Sequence, residues 1–209
     1  LSTARELELF EPGPISEKSI TAEVCTHHLW FDQSRYKDLG SLIKCNPAIK
    51  SSVDRDGLIR GVCDDLIDVI ATDHAPHTLD EKKQTYFKAP AGLPLVQHSL
   101  QVLLQLYHEE RLSLERIVQK SAHNPALLFQ IAERGFVREG YFADLVVVDL
   151  CKPQQITPES LIYKCGWSPF EGERFSSSIH MTILNGDVVF REGVSTEEPK
   201  GQRLEFKKL

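Results

Sequence analysis

The stretch that most constrains this chain is Asp68-Val-Ile-Ala-Thr-Asp-His-Ala-Pro-His77, a short apolar run that ends in a carboxylate and two imidazoles. Val69, Ile70 and Ala71 make the unbroken apolar segment that a strand buried on both faces of a parallel sheet requires. Thr72 and Asp73 then fall at its carboxyl end, where α/β folds gather their chemistry. Pro76 has no amide hydrogen and keeps Ala75 out of the helical region, so residues 74–77 are expected as an extended loop. Asp73 and His77 can then face one cavity. A carboxylate beside histidines suits a divalent metal, which lowers the pKa of a bound water towards neutrality. The competing reading is a capping aspartate with two surface histidines, and one carboxylate is not a complete metal site.

The 209 residues are 41% hydrophobic and 26% charged with a net charge of -6, enough for one large core or two small ones. That balance, with no basic cluster, excludes a phosphate-binding face, so no nucleic-acid partner is expected. No stretch approaches the roughly twenty apolar residues of a membrane span. Residues 1–20 lack the basic and apolar regions of a signal peptide, which makes the cytoplasm the expected location. Cys25, Cys45, Cys63, Cys151 and Cys165 are odd in number and scattered, and read as reduced thiols packed as small apolar groups. The chain begins at Leu1 and its single methionine is Met181, so it is expected to be a piece of a longer product.

In chain order, residues 2–10 read as a helix with a Ser/Thr start, ended by Pro12-Gly-Pro14. Residues 19–25 alternate as a strand. If that strand continues, His27 and His28 point to opposite faces, one hydrogen-bonded in the wall and the other packed. Residues 32–52 fit a long functional loop in which Asn46-Pro47 forms a turn. A helix from Ser52 would bury Leu58, Ile59, Val62 and Leu66, and after the central motif Gly92 permits close backbone approach to a ligand. Residues 95–108 form an amphipathic helix with Leu100, Leu103, Leu104 and Tyr107 inward and His98 and His108 at the surface or wall. Ser113 caps another helix; Asn124-Pro125 opens a further one, closed by Gly135. From Gly140 the pattern turns to strands, with a hairpin at Asn185-Gly186 and a charged, loose tail from Ser195.

Ala71-Thr-Asp-His-Ala-Pro-His77, continued by Thr78-Leu-Asp-Glu-Lys82 and Ala89-Pro-Ala-Gly-Leu-Pro94, resembles the signature near the end of the barrel in dihydroorotases, zinc enzymes of the amidohydrolase superfamily. Thr21-Ala-Glu-Val-Cys-Thr-His-His-Leu29 and Lys44-Cys-Asn-Pro-Ala-Ile-Lys50 are similar to two further segments of that family. Gly140-Tyr-Phe-Ala-Asp-Leu-Val-Val-Val-Asp149 and Ser168-Pro-Phe-Glu-Gly172 resemble the β-sandwich beside the barrel. The likeness covers nearly the whole chain and only the last part of the family's length. It implies an α/β fold: the carboxyl-terminal part of a metal-dependent (β/α)8 TIM barrel over 1–139, a β-sandwich appendage over 140–194 and a charged tail over 195–209.

The resemblance further implies two zinc ions per intact site, bridged by a carbamylated lysine or an aspartate. Of the family's ligands only Asp73 is present, the others belonging upstream of Leu1. The implied reaction is the reversible hydrolysis of the cyclic amide of (S)-dihydroorotate to N-carbamoyl-L-aspartate, a step of pyrimidine biosynthesis. Asp73 would take the proton of the attacking hydroxide and pass it to the leaving nitrogen. Asn46, His77 and the backbone of Ala91 and Gly92 would bind the substrate, with His77 near its carboxylate. Thr26 and Ala91 stand where the family often has Pro and Phe, which alters the wall of the site. The implied partners are this small-molecule substrate and the amino-terminal half of the barrel, with a homodimer left open. A barrel lacking about its first six strands has an open edge, so these residues alone are expected to be inactive. The same motifs leave two alternatives: an allantoinase- or dihydropyrimidinase-like cyclic amidohydrolase, and a non-catalytic homologue retained as a scaffold.

Overall fold

A computed structural model describes residues 1–196 and 201–207. A 3-10 turn at Ala4–Leu9 leads to strand β1 (Glu23–Cys25), then helices α1 (Thr26–Trp30), α2 (Tyr36–Leu39) and α3 (Ser52–Cys63) and strand β2 (Val69–Ala71). Helices α4 (Leu79–Lys82), α5 (Ser99–His108), α6 (Leu114–Val118) and α7 (Asn124–Leu128) follow, with a π turn at Gln119–His123 between the last two. The remainder is β: β3 (Leu145–Asp149), β4 (Gln154–Gln155), β5 (Arg174–Phe175), β6 (Ser178–Leu184), β7 (Asp187–Arg191) and β8 (Val194–Ser195). No described helix is long and apolar enough to cross a membrane.

β1 and β2 pair in parallel, Glu23 with Val69, Val24 with Ile70 and Cys25 with Ala71, joined through α3 as a parallel pair demands. The pairing is pinned at its amino end by Asp68, which is 0% exposed and accepts from Lys18 Nζ at 2.7 Å and from the Ala22 amide at 2.9 Å. Ladder pairing stops at Cys25 and Ala71, so the strand expected over 19–25 shortens to three residues. With no partner strand to join, residues 26–30 satisfy their backbone by coiling into α1, closed by Phe31 N donating to His27 O at 3.0 Å.

α3 starts where Ser51 accepts from the Asp54 amide, and it buries Leu58, Ile59 and Val62; Leu66 lies beyond its end and Ile67 fills the core instead. Its Gly57 lies so close to Ala4 that a Cβ there would meet the Ala4 Cβ at 2.5 Å. α5 begins at Ser99 rather than Leu95, and buries Val102, Leu103, Leu104 and Leu106 with Leu100 and Tyr107 partly covered. Of the two histidines expected at the surface or wall, His98 is buried at 1% exposure, while His108 is exposed and reaches Ser177 Oγ at 2.8 Å. α7 ends at Leu128, well before Gly135.

Two apolar cores result. One joins β1, β2, α3, α5 and α6; the other gathers Phe31, Ile43, Cys45, Ile49, Leu93, Leu95 and Val102 with Ile156, Phe170 and Phe175. Those last three come from the stretch assigned by sequence to the appendage. β3, β6, β7 and β8 form an antiparallel sheet in that order, turning at Asn185 and Gly186, both at positive φ. Residues 197–200, 208 and 209 of the expected loose tail lie outside the described residues. Its segment 205–207 is paired, with Glu205 O accepting from Ala132 N at 2.8 Å and Lys207 N donating to Gln130 O at 2.9 Å. All five cysteines are free, but Cys63 and Cys151 are exposed, so the expected packing holds only for the other three.

Candidate active site

β2 ends at Ala71, and two residues later Asp73 takes a left-handed conformation at φ 49° that turns the chain out of the sheet. Residues 74–77 form no helix, in keeping with Pro76, and are bridged to a second segment: Ala75 N donates to Leu93 O at 3.0 Å, and His74 pairs in parallel with Leu93. His74 Nδ1 accepts from the amides of Leu95 at 2.9 Å and Val96 at 3.3 Å, so in the neutral ring the hydrogen is on Nε2. Those two amides are held by a side chain from another segment, and the helical ladder starts only afterwards. The His74 ring stacks on Tyr163 at 5.5 Å, and burial lowers its pKa.

His77 is held at both ends. Its carbonyl accepts from Trp167 Nε1 at 2.7 Å, and its Nε2 lies 3.2 Å from the Ala91 carbonyl, which can only accept, so Nε2 donates. Gly92 makes this approach possible: at φ 143° an added Cβ would meet Ala75 O at 2.7 Å and His77 Cδ2 at 3.0 Å. Gly92 N in turn donates to Lys44 O at 2.9 Å, which draws in the segment carrying Asn46 and its cis bond to Pro47. His77, Ala91 and Gly92 therefore meet at one patch, with Asn46 two residues along the chain from Lys44; Asn46 and Ala91 are exposed and Gly92 is buried.

Asp73 is exposed, and among the described residues no hydrogen bond or ion pair engages its carboxylate. It lies close to Cys25 at the end of β1 and to Cys45 beside Asn46: burial foremost, with the Asp73 charge contributing, pushes these thiols up to about 12 and about 11. A free carboxylate at a strand end has the donor chemistry of a hard oxygen ligand, so it fits the zinc pair that the resemblance implies. His77 does not serve that purpose here, since its Nε2 is committed to Ala91.

His27 and His28 depart from expectation. In α1 they share one pocket instead of opposite faces, their rings 4.3 Å apart, and with Cys45 they bring ligand atoms within 4.8 Å of one another. Burial, and for His27 also the neighbouring His28, pushes them down to about 3 and about 4, so both are neutral near pH 7. The Cys45 thiol donates to Pro47 O at 3.1 Å, and burial keeps it protonated near neutral pH.

Comparison with known proteins decides the family, which matches residues 15–189 of this chain. The chain belongs to the amidohydrolase family. The dihydroorotase of Pyrococcus furiosus is 35% identical over 204 residues, covering 98% of this chain and 47% of that protein. The solved L-hydantoinase (dihydropyrimidinase) of Arthrobacter aurescens superposes with a TM-score of 0.87 at 25% identity, over 95% of this chain and 45% of that one. The inactive dihydroorotase-like domain of the Chaetomium thermophilum CAD-like multifunctional protein has the same fold, with a TM-score of 0.67 at 17% identity, over 96% and 52%. This amidohydrolase chain thus spans about half the length of the relatives it matches, and its fold is the carboxyl-terminal part of their α/β barrel.

Sequence reasoning missed four residues that build this candidate site. Tyr163 and Trp167 buttress the motif loop from about 90 residues away, and nothing local marks them. Cys45 packs behind Asn46. Lys82 stood inside the motif's continuation, where a helix-forming charged run hid its burial.

Proposed function

We propose that the protein carrying this chain is a zinc-dependent dihydroorotase, which interconverts (S)-dihydroorotate and N-carbamoyl-L-aspartate in pyrimidine synthesis. The observation that carries the reading is the Asp73 carboxylate, unpaired among the described residues and set at the end of a parallel strand beside a loop where His77 is tied to Ala91 and Gly92 to Lys44, two residues before Asn46. The dihydroorotase relatives at 35% identity support it. Asp73 would be one ligand of the metal pair, which when bound supplies Lewis acidity at the amide carbonyl.

The carboxylate of Asp73 takes the proton released by the attacking water. It delivers that proton to the ring nitrogen as the C–N bond breaks, giving a free carboxylate and a ureido nitrogen; in synthesis the same atom runs the steps in reverse. Asn46 and the His77 loop hold the substrate's carboxylate and ring polar groups, so the scissile amide meets Asp73 in a fixed orientation.

The similarity to the L-hydantoinase favours a second reading, a ring amide without the attached carboxylate. Turnover of N-carbamoyl-aspartate, allantoin and dihydrouracil by the full-length protein separates the two. Activity confined to the latter pair overturns the proposal, as does a protein inert towards all three. In the active protein, Asp73→Asn should lower kcat by about 10²- to 10⁴-fold, the usual worth of a positioned proton carrier.

A further inference from the structure

Lys82 is fully buried, and among the described residues no carboxylate pairs with it. Its Nζ donates to three backbone carbonyls, Lys44 at 3.0 Å, Pro90 at 3.0 Å and Gly92 at 2.8 Å, which uses every hydrogen of the ammonium. Burying a charge without a counterion is costly, and each of these carbonyls would be left without this donor if the ammonium were removed. The single turn of α4 brings it there: Thr78 and Glu81 form a capping box that fixes the turn, and Ser41 Oγ donates to the carbonyl of Lys82 itself.

The three acceptors belong to two separate segments. Lys44 precedes Asn46 by two residues, while Pro90 and Gly92 flank Ala91. We propose that Lys82 is the positioning residue of this site, its buried ammonium clamping the Pro90 to Gly92 loop onto the Lys44 to Pro47 segment and so setting the shape of the substrate pocket. What the pocket binds rests on the function proposed above; the clamp itself does not.

The clamp depends on pH. Burial pushes the ammonium down to about 8, with Cys45 and Lys44 the titratable and charged groups that face it. A neutral amine has two hydrogens for three carbonyls and turns its lone pair on the third. The loop therefore loosens as the pH rises through about 8.

In the full-length protein, Lys82→Met should raise KM for dihydroorotate about tenfold while kcat changes by less than about threefold, because the lost contact orients binding and takes no part in bond breaking. Amide exchange across residues 89–93 should quicken by about tenfold in the same variant. Wild-type KM should climb above about pH 8, and Lys82→Arg, whose guanidinium keeps its charge, should remove that climb. Unchanged exchange across 89–93 in Lys82→Met overturns the clamp. A wild-type KM that stays flat well past pH 8 overturns it equally, and that measurement decides should Lys82→Met not fold. If the wild type turns over no dihydroorotate, the proposed function falls, whereas the exchange measurement still decides the clamp.

Discussion

Gly92 occupies a position that no side chain fits. Its φ of 143° is hostile to any L-residue, and a Cβ would press on Ala75 O at 2.7 Å, an atom of the loop that carries His77. Gly92→Ala should therefore cost about 1–3 kcal/mol of stability and also displace His77 from Ala91. A lowered urea midpoint together with a fall in kcat/KM checks this; unchanged kcat/KM would show that the contact is only structural. The sequence marked Gly92 as a place of close backbone approach, expected there to a ligand, whereas the structure shows the Ala75–His77 loop as what comes close. Lys82 is the opposite case. Nothing in Thr78-Leu-Asp-Glu-Lys82 distinguishes a solvated lysine from one buried against three carbonyls, because its partners lie up to 38 residues away.

At the scale of elements, α3 links the site to the amino-terminal segment. Ser51 and Asp54 form a reciprocal cap, Ser51 Oγ donating to Asp54 Oδ2 at 2.5 Å, and Asp54 Oδ1 also accepts from the Ala4 amide at 3.1 Å. Ser51→Ala should cost about 1 kcal/mol, the worth of one cap. Asp54→Ala should cost more, since it also frees the Ala4 amide, and denaturant titration of the two variants ranks them. α3 itself was readable from its serine start and apolar spacing, and the hairpin from Asn185-Gly186. α1 was not: Thr26 to Trp30 looks like a continuing strand, and it coils because β2 ends and offers no further pairing.

For the whole molecule, three buried histidines set the response to acid. Burial pushes His27 down to about 3 and His28 and His98 down to about 4, from an ordinary value of 6.5. The folded chain thus binds fewer protons than the unfolded chain below 6.5. The stability conferred by these neutral rings is present in full above pH 6.5 and is lost as the pH falls towards 4, by up to about 1.4 kcal/mol per pH unit for each ring. Urea midpoints of the full-length protein should drop between neutral and mildly acid pH, and His98→Gln should make that slope shallower; an identical slope would refute the assignment. The sequence by itself determined the short strand β2 and the non-helical loop to His77, because β-branched packing and the missing amide of Pro76 act over a few residues. Only the tertiary structure decided that Lys82, Cys45, Tyr163 and Trp167 surround that loop and that His27 and His28 share one pocket. Burial and long-range hydrogen bonds depend on which distant segments meet, and no local pattern encodes that.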